Sequence, residues 1–355
     1  MVGAGAVGGG HAAQASTPAA RAYRLRIVTP QSPVKDFPRG RHDRTRRTAR
    51  PPGTAVTTGP PATADAAGDR AVDFAAPNAT EWRGVPELPE VETMVRGIAA
   101  HVEGRRLAGF ERCPCNYRPI RVTPESVRVE GRRVAAARRF AKRVVLELDD
   151  GSAFAVEPRM TGLMLIADPP DREHLRVRWR LEGAEPLWFW DRRGLGTVTY
   201  YGPGEFGPAM AARFGPDALE MTPALWRGRL AKTARAVKVA MLDQSLVAGI
   251  GNMYASEILH AAGVDPRTPA SRIGPKRAAR IDAASHAILR EAIENEGSTL
   301  SDGTYRTALN QDGGYQNRHQ VYDREGRPCP RCGGTVRRII QAQRSTFFCG
   351  GCQRR

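Results

Sequence analysis

Four cysteines stand near the end of the chain as Cys329-Pro-Arg-Cys332 and Cys349-Gly-Gly-Cys352, with sixteen residues between the pairs. C-x2-C-x16-C-x2-C is the spacing of a tetrahedral zinc site. Each knuckle turns two thiolates to one side, and the intervening loop is long enough for a β-hairpin that returns the second pair. One structural Zn2+ on Cys329, Cys332, Cys349 and Cys352 is expected. Arg331, Arg337, Arg338, Arg344, Arg354 and Arg355 surround the cage, and a metal-pinned hairpin so charged suits a phosphate backbone. Cys113 and Cys115 have no second pair nearby and read as ordinary free thiols. A second cluster, Pro86-Glu87-Leu88-Pro89-Glu90-Val91-Glu92-Thr93, sets a proline and a carboxylate just before the positive end of a helix. Alone, such a pair is usually only a cap.

Periodicity gives the elements that must position these groups. Val91, Met94, Val95, Ile98 and Val102 recur at helical spacing, Pro89 suits the first helical position, and Gly104 suits the stop. From about 105 to 204 the signals are β. Val144, Leu146 and Leu148 alternate with their neighbours, Asp150-Gly151 reads as a hairpin turn, and Phe154 and Val156 follow. Leu175, Val177, Trp179 and Leu181 alternate with Arg176, Arg178 and Arg180, giving one apolar and one basic face. Several short strands of this kind predict a sandwich or barrel. Helices are expected over 237–242 and 254–262, separated by a glycine-rich turn, and a longer one ends before Gly297. A Gly/Asn/Asp-rich loop then leads to the cysteines.

The chain has 355 residues, a net charge of +17 and a pI near 10.4, which favours a nucleic-acid partner over acidic small molecules. Residues 1–85 are rich in Ala, Gly, Pro, Thr and Arg without an apolar period, and read as a disordered extension. They carry 12 Lys and Arg against 6 Asp and Glu, so the rest is basic without them. No apolar run approaches the roughly 18 residues of a membrane span, and no signal peptide is visible.

Three separated segments together resemble the formamidopyrimidine-DNA glycosylases: Pro86–Thr93, the run from Gln244 to Glu257 through Gly249-Ile250-Gly251-Asn252, and Gln343-Arg344-Ser345-Thr346 before the second knuckle. The resemblance covers about 270 of 355 residues. It implies an α+β multidomain fold. Residues 86–216 would form a catalytic β-sandwich with a leading helix, 217–300 a helix–two-turn–helix domain, and 301–355 a lesion-loop remnant and zinc-finger hairpin. The implied activity is that of a base-excision-repair glycosylase and AP lyase for oxidised purines. It would act as a monomer, in the bacterial cytoplasm and on the nucleoid, on double-stranded DNA carrying oxidised bases or abasic sites. By resemblance, Pro86 attacks C1′ and forms an iminium, Glu87 shuttles a proton, Lys142 assists β-elimination and Arg344 assists δ-elimination. Lys238 and Asn252 would hold backbone phosphates, with free N–H groups at the helix start as an anion site. Met160, Arg193 and Leu195 would fill the hole left by an everted base, Leu195 replacing the family's aromatic residue. Arg172 and His174 would face DNA.

The sequence also departs from the family. Pro86 follows Val85, so its nitrogen is a tertiary amide whose lone pair is delocalised and cannot form an iminium. Val85 stands where an initiator Met belongs, which predicts a working chain that starts there, by a GTG start or by trimming. Glu157-Pro158-Arg159 replaces the family's His-Leu-Gly. Two alternatives stay open. One is an endonuclease VIII-like enzyme for oxidised pyrimidines, which Leu88 argues against. The other is a non-catalytic damaged-DNA-binding protein, if the extension is retained.

Overall fold

The computed structural model describes residues 86–115, 117–123, 128–299, 303 and 305–355. The extension read as disordered, 1–85, lies outside the described residues. Helix α1 spans Leu88–Val102, and the expected face of Val91, Met94, Val95, Ile98 and Val102 is buried. The Glu90 carboxylate accepts the Glu87 N–H at 2.9 Å, satisfying a donor that the helix itself cannot. Leu88 takes the first helical position and Pro89 the second, one residue later than expected.

Nine strands follow: β1 Leu107–Arg112, β2 Arg121–Thr123, β3 Val134–Phe140, β4 Arg143–Leu148, β5 Ala153–Glu157, β6 Gly162–Leu165, β7 Leu175–Leu181, β8 Ala184–Asp191 and β9 Thr197–Tyr201. They form two sheets, ordered β1-β7-β8-β6 and β2-β9-β5-β4-β3. Pairing is antiparallel except between β2 and β9. Val177, Trp179 and Phe189 from one sheet meet Val144, Leu146, Phe154 and Val198 from the other, and the apolar face of α1 packs into the same core. The expected basic face of β7 is broken at its first arginine. Arg178 and Arg180 pair with Glu111 on β1, but Arg176 is buried. Burial there is possible because protein acceptors surround its guanidinium.

The helical part comprises α2 Phe206–Ala211, α3 Pro223–Leu230, α4 Val237–Met241, α5 Asn252–Ala261 and α6 Pro275–Glu294. Helix α5 starts at Asn252, two residues before its predicted start. This part has its own core, built on Trp226, Met241, Tyr254, Ile258 and Leu289, and Leu88 at the head of α1 belongs to it. The first residue of α1 therefore packs with the helices and the rest with the sandwich, which places Glu87 at the seam. Arg139 on β3 also crosses this seam: its guanidinium donates to Asp217 at 2.6 and 3.1 Å and to Glu92 at 3.0 Å. The chain ends in a hairpin, β10 Val336–Gln341 and β11 Arg344–Cys349, closed by Ala342 and Gln343 at φ 46° and 60°. Two central residues with positive φ are what a type I′ hairpin turn requires. Among the described residues no helix is long and apolar enough to cross a membrane.

Candidate active site

Glu87 is buried, and its carboxylate sits on the start of α5. It accepts the N–H groups of Gly251 at 2.6 Å, Met253 at 2.9 Å and Tyr254 at 3.4 Å. The unpaired N–H groups of a helix start favour an anion, and here the anion is a side chain of the protein itself. The helix start is thus the anion site expected of it, and the Glu87 carboxylate is the group it holds. Lys142, in the turn between β3 and β4, meets Glu87 over Gly251. A Cβ at Gly251 would lie 2.5 Å from Glu87 Oε1 and 2.6 Å from Lys142 Nζ, so the close approach needs glycine.

Burial raises the Glu87 carboxyl above its ordinary range, while Lys142 and the three N–H donors pull it down. Burial lowers the Lys142 ammonium, which Glu87 raises and Arg344 lowers further. The acid is moved up and the base down, both chiefly by burial. Glu90 lies behind them. Besides the Glu87 N–H, it accepts the Tyr254 hydroxyl at 2.6 Å and the Ser298 N–H at 2.9 Å, and it is pushed up to about 7, chiefly by burial.

Arg344 is exposed at the tip of the hairpin, and its charge reaches both Lys142 and Lys238. Lys238 has partners other than the phosphate expected for it. It is buried and donates to Asn252 Oδ1 at 2.7 Å, the Ser345 carbonyl at 2.9 Å and Thr346 Oγ1 at 2.8 Å. The hairpin closes over the ammonium and supplies two of those acceptors. Burial draws Lys238 down to about 7, although three acceptors form a full set for an ammonium. Pro86 is buried directly before Glu87.

A second group lies on the sandwich. Met160 is buried, and Arg193 Nη1 lies 3.3 Å from its sulfur. Leu195, two residues on, is half-buried. The His174 ring bonds Asp171 at 2.8 Å and stacks on Tyr117 at 4.5 Å, beside exposed Arg172. Glu157, the first of the three residues at which the sequence departs from the resemblance, is paired with Arg143 at 2.6 Å and Arg159 at 3.0 Å.

The four hairpin cysteines bring their sulfurs within 4.8 Å of one another, with 3.4 Å between Cys332 and Cys349 and 3.8 Å between Cys329 and Cys352. A tetrahedron with Zn–S bonds of about 2.3 Å has edges of about 3.8 Å, so the four thiols fit a closed zinc site.

Residues 85–198 match the Formamidopyrimidine-DNA glycosylase N-terminal domain, 214–304 the Formamidopyrimidine-DNA glycosylase H2TH domain, and 326–355 the Zinc finger found in FPG and IleRS. The formamidopyrimidine-DNA glycosylase of Chloroflexus aggregans is 39% identical over 274 residues, covering 76% of this chain and 98% of its own. That of Paracoccus denitrificans is 40% identical over 287 residues, covering 76% of this chain and all of its own. The chain belongs to the formamidopyrimidine-DNA glycosylase family. Among solved members, the MutM (Fpg) protein of Thermus thermophilus superposes with a TM-score of 0.68 at 37% identity, covering 76% of this chain and 98% of its own. The Lactococcus lactis Fpg in complex with abasic-site DNA gives 0.69 at 28%, covering 76% of this chain and all of its own.

Among the buried residues of the two clusters, Glu90, Tyr254 and Asp191 are not singled out by the sequence. Glu90 had a signal, its place three residues after a cap. Tyr254 had none, because its partner Glu90 is 164 residues away, and Asp191 bonds its own loop and Thr161, 30 residues away, without a motif to mark it.

Proposed function

We propose that this chain is a bifunctional DNA glycosylase and AP lyase of base excision repair, acting on oxidised purines in duplex DNA once Pro86 carries a free nitrogen. The observation that carries this reading is the buried Glu87 carboxylate, seated on α5 beside the Lys142 ammonium and directly after Pro86. A freed Pro86 amine attacks C1′ of the damaged nucleotide, and the bond from C1′ to the base breaks. The base leaves with that electron pair and takes a proton from solvent, and the proton lost by the attacking nitrogen passes to Glu87. Glu87, with its raised proton affinity, delivers a proton to the sugar ring oxygen as the ring opens, leaving an iminium on Pro86. That electron sink acidifies C2′, and loss of a C2′ proton expels the 3′ phosphate. Lys142 assists this β-elimination, and Arg344 assists the δ-elimination that releases the 5′ phosphate.

In this reading residues 86–216 carry the chemistry. Residues 217–300 supply the helix start that holds Glu87 and present Asn252 to the DNA backbone, with Lys238 fixing Asn252 from behind. Residues 301–355 carry one structural zinc on Cys329, Cys332, Cys349 and Cys352, and deliver Arg344. Met160, Arg193 and Leu195 occupy the gap left by the everted base, and Arg172 and His174 face the backbone. One monomer serves one lesion.

Borohydride trapping on duplex with 8-oxoguanine opposite cytosine tests this, comparing the full chain with one beginning at Pro86. Covalent linkage of the Pro86 form alone is expected. The acylated nitrogen of Pro86 in the full chain favours a second reading, a protein that binds damaged DNA without cutting it. That reading prevails if neither form links and both bind.

A further inference from the structure

We propose that Arg176 is a positioning residue for the loop 192–196, holding Arg193 and Leu195 at the angle from which they enter the duplex. The inference rests on the gap-filling role given to Arg193 and Leu195 above. Arg176 comes from the strand face that should be basic and solvated, yet the residue is 3% exposed. Nε donates to the Asp191 carbonyl at 2.8 Å, Nη1 to the Arg118 carbonyl at 2.8 Å and to Cys115 Sγ at 2.8 Å, and Nη2 reaches the Arg192 carbonyl at 3.5 Å. One planar group therefore ties the end of β8, the first residue of the loop, Cys115 and Arg118 into one block. A rigid fork of five donors can do this, and a lysine cannot.

The other side of the loop is fixed as well. The buried Asp191 carboxylate accepts the Thr161 hydroxyl, the Arg193 N–H at 3.2 Å and the Gly196 N–H at 2.7 Å, so the Met160 segment and the loop share one anchor. Gly194 has φ +60°, and a Cβ there would lie 2.3 Å from the Arg118 carbonyl oxygen that Arg176 holds. Arg118 is therefore the wall against which the loop turns, and Arg176 fixes the wall. A side chain that must displace a base acts only as well as its backbone resists recoil. Unstacking a base is costly, and a loop free to retreat returns that strain as disorder rather than insertion.

The test uses the full chain, because insertion needs no reaction at Pro86. A duplex carries a tetrahydrofuran abasic analogue beside 2-aminopurine, whose fluorescence reports unstacking. Arg176→Met and Arg176→Lys are compared with the unaltered chain and with Arg193→Ala, at saturating protein and below any unfolding transition. Both Arg176 variants are expected to lose at least about five-fold of the fluorescence change, with affinity for undamaged duplex changed less than about three-fold, since phosphate contacts dominate that affinity. Gly194→Ala, which pushes the same wall from the other side, is expected to do the same. If either Arg176 variant matches the unaltered chain while Arg193→Ala does not, the proposal is wrong. If Arg193→Ala also leaves the signal intact, the gap-filling assignment itself fails. Should Arg176→Met not fold, Arg176→Lys and Gly194→Ala decide the matter by the same readout.

Discussion

Gly251 leaves room for two charged groups at once. A methyl there would stand 2.3 Å from the Glu87 carboxyl carbon, and Glu87 cannot swing away without losing its N–H donors. Gly251→Ala is therefore expected to lower single-turnover excision by the Pro86-initiated form about 100-fold, the usual scale for a misplaced general acid. Duplex binding in a mobility-shift assay should change little; unchanged excision would remove Glu87 from the mechanism. Glu90 gives a pH prediction. The folded chain holds its proton up to about 7, against 4.5 for the free group. Between those values the folded state binds more protons than the unfolded, so this contribution is complete below the lower value and is lost as pH rises through the upper one. The loss is on the order of 3 kcal/mol. Burial draws His319 down to about 4, which works in the opposite sense at lower pH. The quantity to measure is thus the difference in urea stability between the chain and Glu90→Gln at pH 5 and pH 8. The stability of the chain minus that of the variant should fall from pH 5 to pH 8, and a value that does not fall would contradict the assignment.

Elements are joined here by single polar residues. Arg139, with its side chain 9% exposed, links β3 to α1 through Glu92 and to the start of the helical part through Asp217. Arg139→Ala leaves two carboxylates facing each other at the seam, and a loss of about 3 kcal/mol is expected from chemical unfolding, the scale for a buried pair stripped of one partner. His260 on α5 is buried with Nε2 3.3 Å from Cys329 Sγ, joining the helical part to the zinc hairpin. An N–H donated to a ligating thiolate offsets part of the charge that four thiolates place on the metal. His260→Phe should release zinc to a chromophoric chelator about ten times faster, with circular dichroism unchanged at the start. Equal release rates would assign His260 to packing alone.

At the scale of the molecule, two cores share one helix. Leu88 belongs to the helical core and Val91 to the sandwich, so the head of α1, directly after Glu87, joins the two halves. The hairpin completes the arrangement through Lys238, whose ammonium binds β11 and Asn252 together. Arg344 is carried into reach of Lys142 by that contact while its own side chain stays exposed. Arg344→Ala should therefore lower the salt dependence of duplex binding by about one counterion and weaken binding at every sequence alike. A salt slope equal to that of the unaltered chain would take Arg344 off the phosphate path.

Local sequence determined the helix at 88–102, the Asp150-Gly151 hairpin and the cysteine spacing, because each depends on periodicity or turn chemistry within a few residues. It also made the family legible, since three motifs stand in order along one chain. The occupant of the α5 start was decided only by the fold. The same N–H groups serve a phosphate or a carboxylate equally well, and only packing Leu88 into the helical core brings Glu87 there. Arg176 and Lys238 show the same limit from the other side. A basic residue in a sequence is solvated by default, because an unpaired buried charge is costly. These two are buried because acceptors from segments 15 to 108 residues away converge on them, Arg118 and Asp191 on one, Ser345 and Thr346 on the other.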